Sequence, residues 1–130
     1  MAKTVLVVDD DPDVIKYVST ILEKIGCQII SAKNGEEAMN KIGHTRPDLV
    51  VLDVLMPKRS GIKMYRELKT SDSLKSIPVI ILSGISEKTF LRSQEALSEF
   101  AGESVPEPSV YIEKPLKPKQ FTQIVQDLLK

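Results

Sequence analysis

Five side chains of this 130-residue chain have the types and positions to do chemistry together: Asp9, Asp10, Asp53, Ser83 and Lys114. Each follows or closes a short apolar run: Thr4–Val8, Val50–Leu52, Val79–Leu82 and Val110–Ile112. Three carboxylates held within a few ångströms repel one another, and each raises its neighbours' pKa. A divalent cation resolves that repulsion. Carboxylate, carbonyl and water oxygens suit a hard ion, and Mg²⁺ takes one or two carboxylates and keeps several waters. With the charge so balanced, Asp53 has the chemistry of a carboxylate nucleophile toward a phosphoryl group. Lys114 and the metal would offset charge on the transferring group, and Ser83 would hydrogen-bond one of its oxygens.

The chain must first bring these residues together. Val50-Val51-Leu52 is apolar on consecutive positions, so both faces of that strand need cover, as in a central parallel strand. Asp53 then lies at the strand's carboxyl end, where open α/β sheets place their ligand sites. Strands over Thr4–Val8, Cys27–Ala32, the run into Asp53, Pro78–Ser83 and Val110–Ile112 alternate with five helices. Asp11 caps the first helix with Pro12 at its first position. Val14, Ile15, Val18, Ile21, Leu22 and Ile25 form its apolar face, and Gly26 ends it in a left-handed cap. Asn34 and Glu37 resemble a capping box for a helix running to about Gly43. Helices follow from Ile62 to about Lys69, with Ile62, Tyr65 and Leu68 inward, and from Glu87 to Phe100, with Phe90, Leu91, Ala96, Leu97 and Phe100 inward. Pro118 starts the last helix, whose inward residues are Phe121, Ile124, Val125, Leu128 and Leu129. Strict alternation predicts an α/β fold, a five-stranded parallel sheet covered by helices on both faces, with right-handed crossovers. All strand carboxyl ends then share one edge, and the five reactive groups meet there. The second strand ends in Ser31-Ala32 and offers little.

Composition narrows the classes. The length suits one domain over residues 1–130, able to bury roughly two-thirds of its unfolded surface without staples. Eighteen basic and 18 acidic residues give zero formal net charge, unlike a nucleic-acid binder with a basic face. A single cysteine, Cys27, excludes an internal disulfide and suits a reducing cytoplasm. It reads as a small core hydrophobe. No apolar run approaches a membrane span, and no signal-peptide pattern opens the chain. His44 has no second metal-type ligand nearby and reads as a surface residue. Asp11 and Asp13 fit a helix N-terminus; Asp9 and Asp10, directly after a buried strand, fit a site.

The residues that carry this reading resemble the receiver domain of two-component response regulators. They are Val-Val-Asp9-Asp10-Asp11, Asp53-x-x-Met56-Pro57-x-x-x-Gly61, Ile-Leu-Ser83-Gly84 and Tyr111-Ile112-Glu113-Lys114-Pro115. The resemblance runs from Val5 to Leu129. It implies a doubly wound, flavodoxin-like sheet of order 2-1-3-4-5. It implies that Asp53 takes a phosphoryl group from a sensor histidine kinase or a phosphotransfer histidine. Mg²⁺, with Mn²⁺ as a substitute, would be held by Asp10 and Asp53 directly, by the Leu55 carbonyl, and by Asp9 mostly through water. Ser83 would be the switch hydroxyl, Tyr111 the switch aromatic, and Lys114, before a cis Pro115, the phosphoryl contact. The output would be a protein target on the face of the fourth helix, fifth strand and fifth helix, with no direct nucleic-acid or membrane role. The chain would be a switch assisting its own phosphoryl transfer and hydrolysis, not a turnover enzyme. It would act either alone or as the receiver of a longer regulator.

Two departures bear on function. The interval from Ser83 to Lys114 is long for the family, with the excess in Ala101–Pro108 beside the expected output face, where it would alter partner choice or the fourth helix's position. Val54 and Leu55 are apolar and offer no group to orient a hydrolytic water, so self-dephosphorylation is expected to be slow. A hydrolase of the haloacid dehalogenase type shares an apolar strand with Asp-x-Asp, but lacks here the acidic pair after Lys114 and leaves Asp53 without a role. An unphosphorylated interaction module sits poorly with the intact reactive set. An EF-hand is excluded by Val14 where its loop needs Gly.

Overall fold

The computed structural model describes residues 2–54, 61–101 and 106–130, with 96–101 by backbone alone. The elements are β1 (Thr4–Val8), α1 (Pro12–Lys24), β2 (Gln28–Ala32), α2 (Gly35–Ile42), β3 (Leu49–Leu52), α3 (Gly61–Thr70), β4 (Val79–Ser83), α4 (Glu87–Ala101), β5 (Val110–Glu113) and α5 (Pro118–Leu128). The strands form one parallel sheet in the order β2-β1-β3-β4-β5. The inward side-chain assignments for Ala96, Leu97 and Phe100 lie outside the described residues, as does the loop carrying Met56 and Pro57.

Alternation along each strand divides the interior into two cores, because successive side chains point to opposite faces. Leu6, Val8, Val50, Leu52, Val79 and Ile81 face one side with Ala38, Ile42, Met64, Tyr65, Leu68 and Phe90 from α2, α3 and α4. Val5, Val7, Leu49, Val51, Ile80 and Leu82 face the other with Val18, Leu22, Phe121 and Val125 from α1 and α5. Each fully buried Leu, Val or Phe contributes roughly 1.5–3 kcal/mol. The three central strands, covered twice, therefore form the rigid part of the frame.

Local signals set where the first helices begin and end. Asp11 accepts a hydrogen bond from the Asp13 amide at 2.9 Å, and Pro12 follows at the first position of α1. At the other end the Gly26 amide reaches the Glu23 carbonyl and the Cys27 amide the Leu22 carbonyl, with Gly26 at φ 89°. That pair of bonds is a Schellman motif, which requires a left-handed residue. Asn34 accepts from the Glu37 amide at 2.8 Å. The return arm of the capping box is not made: the Glu37 carboxylate pairs with Lys41, one turn along, at 3.2 Å.

Candidate functional site

β1 and β3 are neighbours with Val8 opposite Leu52, so Asp9 and Asp53 leave the sheet side by side. Main-chain bonds hold both: the Asp53 amide donates to the Val8 carbonyl at 2.9 Å, and the Asp9 amide to the Ala32 carbonyl at 3.1 Å. Both side chains are buried, while Asp10 is exposed. One carboxylate oxygen from each of Asp9, Asp10 and Asp53 lies within 4.8 Å of the others. A set of three carboxylates so close suits a hard cation and no soft one.

Lys114 leaves the edge strand β5 toward the same point. Its Nζ donates to Asp9 Oδ2 at 3.1 Å and stands 3.6 Å from Asp53 Oδ2. Burial works against its charge, but the hydrogen bond to Asp9 and the charges of Asp53 and Asp9 outweigh it, and its pKa is raised. The Asp9 carboxyl is also raised. Burial is the largest cause, and the Asp11 amide and Lys114 only partly offset it, while the Asp53 charge adds to the rise. The two directions agree physically: one ammonium is divided between two buried carboxylates and does not fully neutralise either. Lys114–Pro115 is a cis peptide bond, as the resemblance implies.

Ser83, fully buried, ends β4 on the same edge, and its Oγ accepts from the Ile85 amide at 3.4 Å. The main chain joins it to the lysine, since the Lys114 amide donates to the Ser83 carbonyl at 2.8 Å. Tyr111 lies half-buried against Phe90, and its hydroxyl donates to the Ile85 carbonyl at 2.8 Å. Burial, then the charges of Glu113, Glu87 and Asp53, push this phenol up to about 12. The Leu55 carbonyl lies outside the described residues.

Three features of the site were not read from the sequence. Asp9 Oδ1 accepts the Asp11 amide at 2.9 Å. That is an Asx turn, for which Asp followed by a chain reversal is the available signal. Glu113 Oε1 accepts the Glu87 amide at 3.2 Å, tying the start of α4 to the residue before Lys114. Gly61 begins α3 in direct contact with the backbone that follows β3: a Cβ built on it would overlap the Asp53 carbonyl and lie 2.5 Å from Val54 Cα. A glycine at a helix's first position marks such close approach.

A family model described as the response regulator receiver domain matches residues 5–126. The protein PilG of Pseudomonas aeruginosa is 37% identical over 79 residues, covering 61% of this chain and 58% of PilG. The polar-differentiation response regulator DivK of Brucella anthropi is 30% identical over 129 residues, covering 99% of this chain and 98% of DivK. The chain thus spans little more than half the length of PilG and nearly all of DivK. Among solved structures, the signal receiver domain of a signal transduction histidine kinase from Syntrophus aciditrophicus is similar at a TM-score of 0.80 and 33% identity, over 98% of this chain and 90% of that one. A match that runs from the first strand into the last helix, on a sheet of the order the motifs implied, gives one assignment: this chain belongs to the response regulator receiver domains of two-component systems, signalling switches rather than turnover enzymes.

Proposed function

We propose that Asp53 is the phosphoacceptor of a switch charged by a histidine kinase or phosphotransfer protein of the cytoplasm. The observation that supports it best is the meeting of three carboxylate oxygens within 4.8 Å of one another, with the Lys114 ammonium against two of those carboxylates. An Asp53 oxygen attacks phosphorus, and the bond from phosphorus to the donor imidazole breaks. The imidazole nitrogen leaves with the bonding pair and keeps a proton on its other nitrogen. Mg²⁺ held by Asp10, Asp53 and the Leu55 carbonyl, with Asp9 acting mostly through water, would supply positive charge against the phosphoryl oxygens. Lys114 is already within an ion-pair distance of the acceptor and needs only to turn to follow the added charge. A cleft of about 600 Å³ lined by Val14, Tyr17, Leu82, Lys114, Pro115 and Leu116 opens beside it and gives a donor's apolar surface a seat.

Phosphorylation adds about −1.5 to −2 charges. Taking a two-state domain from 1:99 to 99:1 requires roughly 5.5 kcal/mol. Two or three charge-assisted hydrogen bonds, from Lys114, Ser83 and the metal shell, supply that order at ~1.5–3 kcal/mol each. Ser83 ends β4 and Lys114 directly follows β5, so their movement carries Tyr111 and the α4–β5–α5 face, which contacts the target protein. Val54 is fully buried in the core and brings no polar group to the acceptor, which supports a long-lived acyl phosphate.

Incubation with acetyl phosphate and Mg²⁺ followed by intact-mass measurement tests this. A single phosphate adduct, absent in Asp53→Asn and lasting minutes or longer, is expected. Continuous release of phosphate with no accumulating adduct would place the chain with phosphohydrolases instead.

A further inference from the structure

Tyr65 is a fully buried phenol on α3 to which the phosphoacceptor chemistry gives no part. Its hydroxyl donates to the Pro106 carbonyl at 2.6 Å, across 41 positions of sequence. Pro106 and Glu107 are exposed and belong to the long connection from α4 to β5. The Tyr65 ring meets Phe90 edge-on, with centroids 5.3 Å apart and planes at 77°. Phe90, itself fully buried, stands 5.5 Å from Tyr111. Three rings thus form a column beneath α4. It ends in a hydroxyl on the Pro106 carbonyl at one side and in a hydroxyl on the Ile85 carbonyl at the other.

The column is set in a frame that touches the acceptor. α3 starts at Gly61 against the backbone of Asp53 and Val54. One residue on, the Ile62 carbonyl accepts from Gln94 of α4 at 3.2 Å. A close-packed interior does not let one ring move alone. If Tyr111 turns, Phe90 loses its support on one side and the Tyr65 ring loses Phe90. A buried hydroxyl that loses its acceptor is costly, so Tyr65 and Pro106 either hold together or let go together.

We propose that Tyr65 is a positioning residue that makes the α4–β5 connection a working part of the switch. The inference rests on Tyr111 responding to a phosphoryl group at Asp53. Coupling between sites is reciprocal. A partner protein that seats on the connection therefore biases the same ring as the phosphoryl group does, and alters how readily Asp53 keeps it. The bistable element through which the two sites communicate is the Tyr111 ring, as such a claim requires.

The test uses the full chain as wild type, Tyr65→Phe and Phe90→Leu, each with Mg²⁺ alone and with Mg²⁺ and beryllofluoride, a phosphoryl mimic. Amide hydrogen exchange is read at Ile85–Ser86 and at Glu107, Ser109 and Val110. In the wild type, beryllofluoride changes exchange at both places. In Tyr65→Phe, which keeps the ring and loses only the hydroxyl, the connection exchanges several-fold faster before the probe is added. Its response to the probe is lost, while the response at Ile85–Ser86 stays. Phe90→Leu, with the Tyr65 hydroxyl intact, also loses the response at the connection. Equal responses in Tyr65→Phe and wild type, or a wild-type response confined to Ile85–Ser86, overturn the proposal and leave Tyr65 as core filling. A wild type that takes neither beryllofluoride nor acetyl phosphate overturns the phosphoacceptor reading itself, and the switch role of Tyr65 with it. Exchange at the connection without the probe still reads the tether separately, and equal rates in wild type and Tyr65→Phe there overturn it.

Discussion

Lys114 stands where a metal and a phosphoryl group would also find their charge balance. With its ammonium on Asp9 and Asp53, the carboxylate cluster is partly neutralised from within, and a cation would have to share those carboxylates with it. Lys114→Met removes the competitor while keeping the aliphatic stem. Mg²⁺ affinity, followed by calorimetry, should tighten by roughly three- to tenfold, the order of a partly exposed ion pair. The acyl phosphate formed on the variant should no longer move Tyr111, because the group that follows the new charge is gone. Gly61 permits an equally direct test. Any side chain there must displace the backbone of Asp53 and Val54, so Gly61→Ala should lower unfolding free energy by about 2–3 kcal/mol in denaturant titration and, on the proposed reading, slow phosphorylation more than Mg²⁺ binding. The placement of Asp9, Asp10, Asp53, Ser83 and Lys114 on one sheet edge was legible because each lies at or just after the end of an apolar run. The Asp11 amide on Asp9, Glu113 on the start of α4 and Tyr65 on Pro106 were not. Those contacts depend on rotamers and on how a helix sits over the sheet, and periodicity carries neither.

At the scale of elements, the first helices end where their side chains say they should. Asp11, Pro12 and Gly26 each remove a specific cost: an orphan amide, a misplaced proline and a strained left-handed residue. Gly26→Ala should cost about 1 kcal/mol, since φ there is 89° and no contact would offset the strain. Its effect should appear in thermal unfolding and leave phosphorylation of Asp53 unchanged, because the motif lies at the opposite end of α1 from the site. The capping box at α2 was legible only in its forward arm. The Glu37 amide makes that arm, and its carboxylate pairs instead with the helical neighbour Lys41. The α4–β5 connection shows a different limit. Its length and prolines announce an exposed loop, but its attachment to α3 is made by a tyrosine that reads in the sequence as one more inward residue.

Across the whole molecule, the sheet separates two cores, and the ionisable groups sunk into them set how the fold answers to pH. Burial raises the phenols of Tyr65 and Tyr111 above the ordinary value of 10, Tyr111 up to about 12. The unfolded chain gives up these protons from about pH 10 upward, the folded chain only beyond it, so the stability these phenols contribute is full below pH 10 and falls as pH rises toward 12. Denaturant midpoints measured from pH 9 to 12 should show this decline. It should be shallower in Tyr111→Phe and shallower again in the double variant with Tyr65→Phe, where the slope left is that of the other raised groups, Lys114 and Cys27. A decline that persists undiminished in the double variant would assign the alkaline loss to other groups. The fold at this scale was the most legible part, because strict alternation of doubly buried strands and one-faced helices leaves few other topologies.

The pair between Lys114 and Asp9 joins positions 105 apart. Asp9, Asp10 and Asp53 are therefore all synthesised before the ammonium that balances them. A nascent chain that has not reached residue 114 carries Asp53 without its counter-charge, and without the edge strand that presents it. On the proposed reading, a donor that seats in the cleft beside Lys114, Pro115 and Leu116 would therefore engage only copies in which synthesis has passed those residues and β5 has docked, and would ignore unfinished copies of its own target.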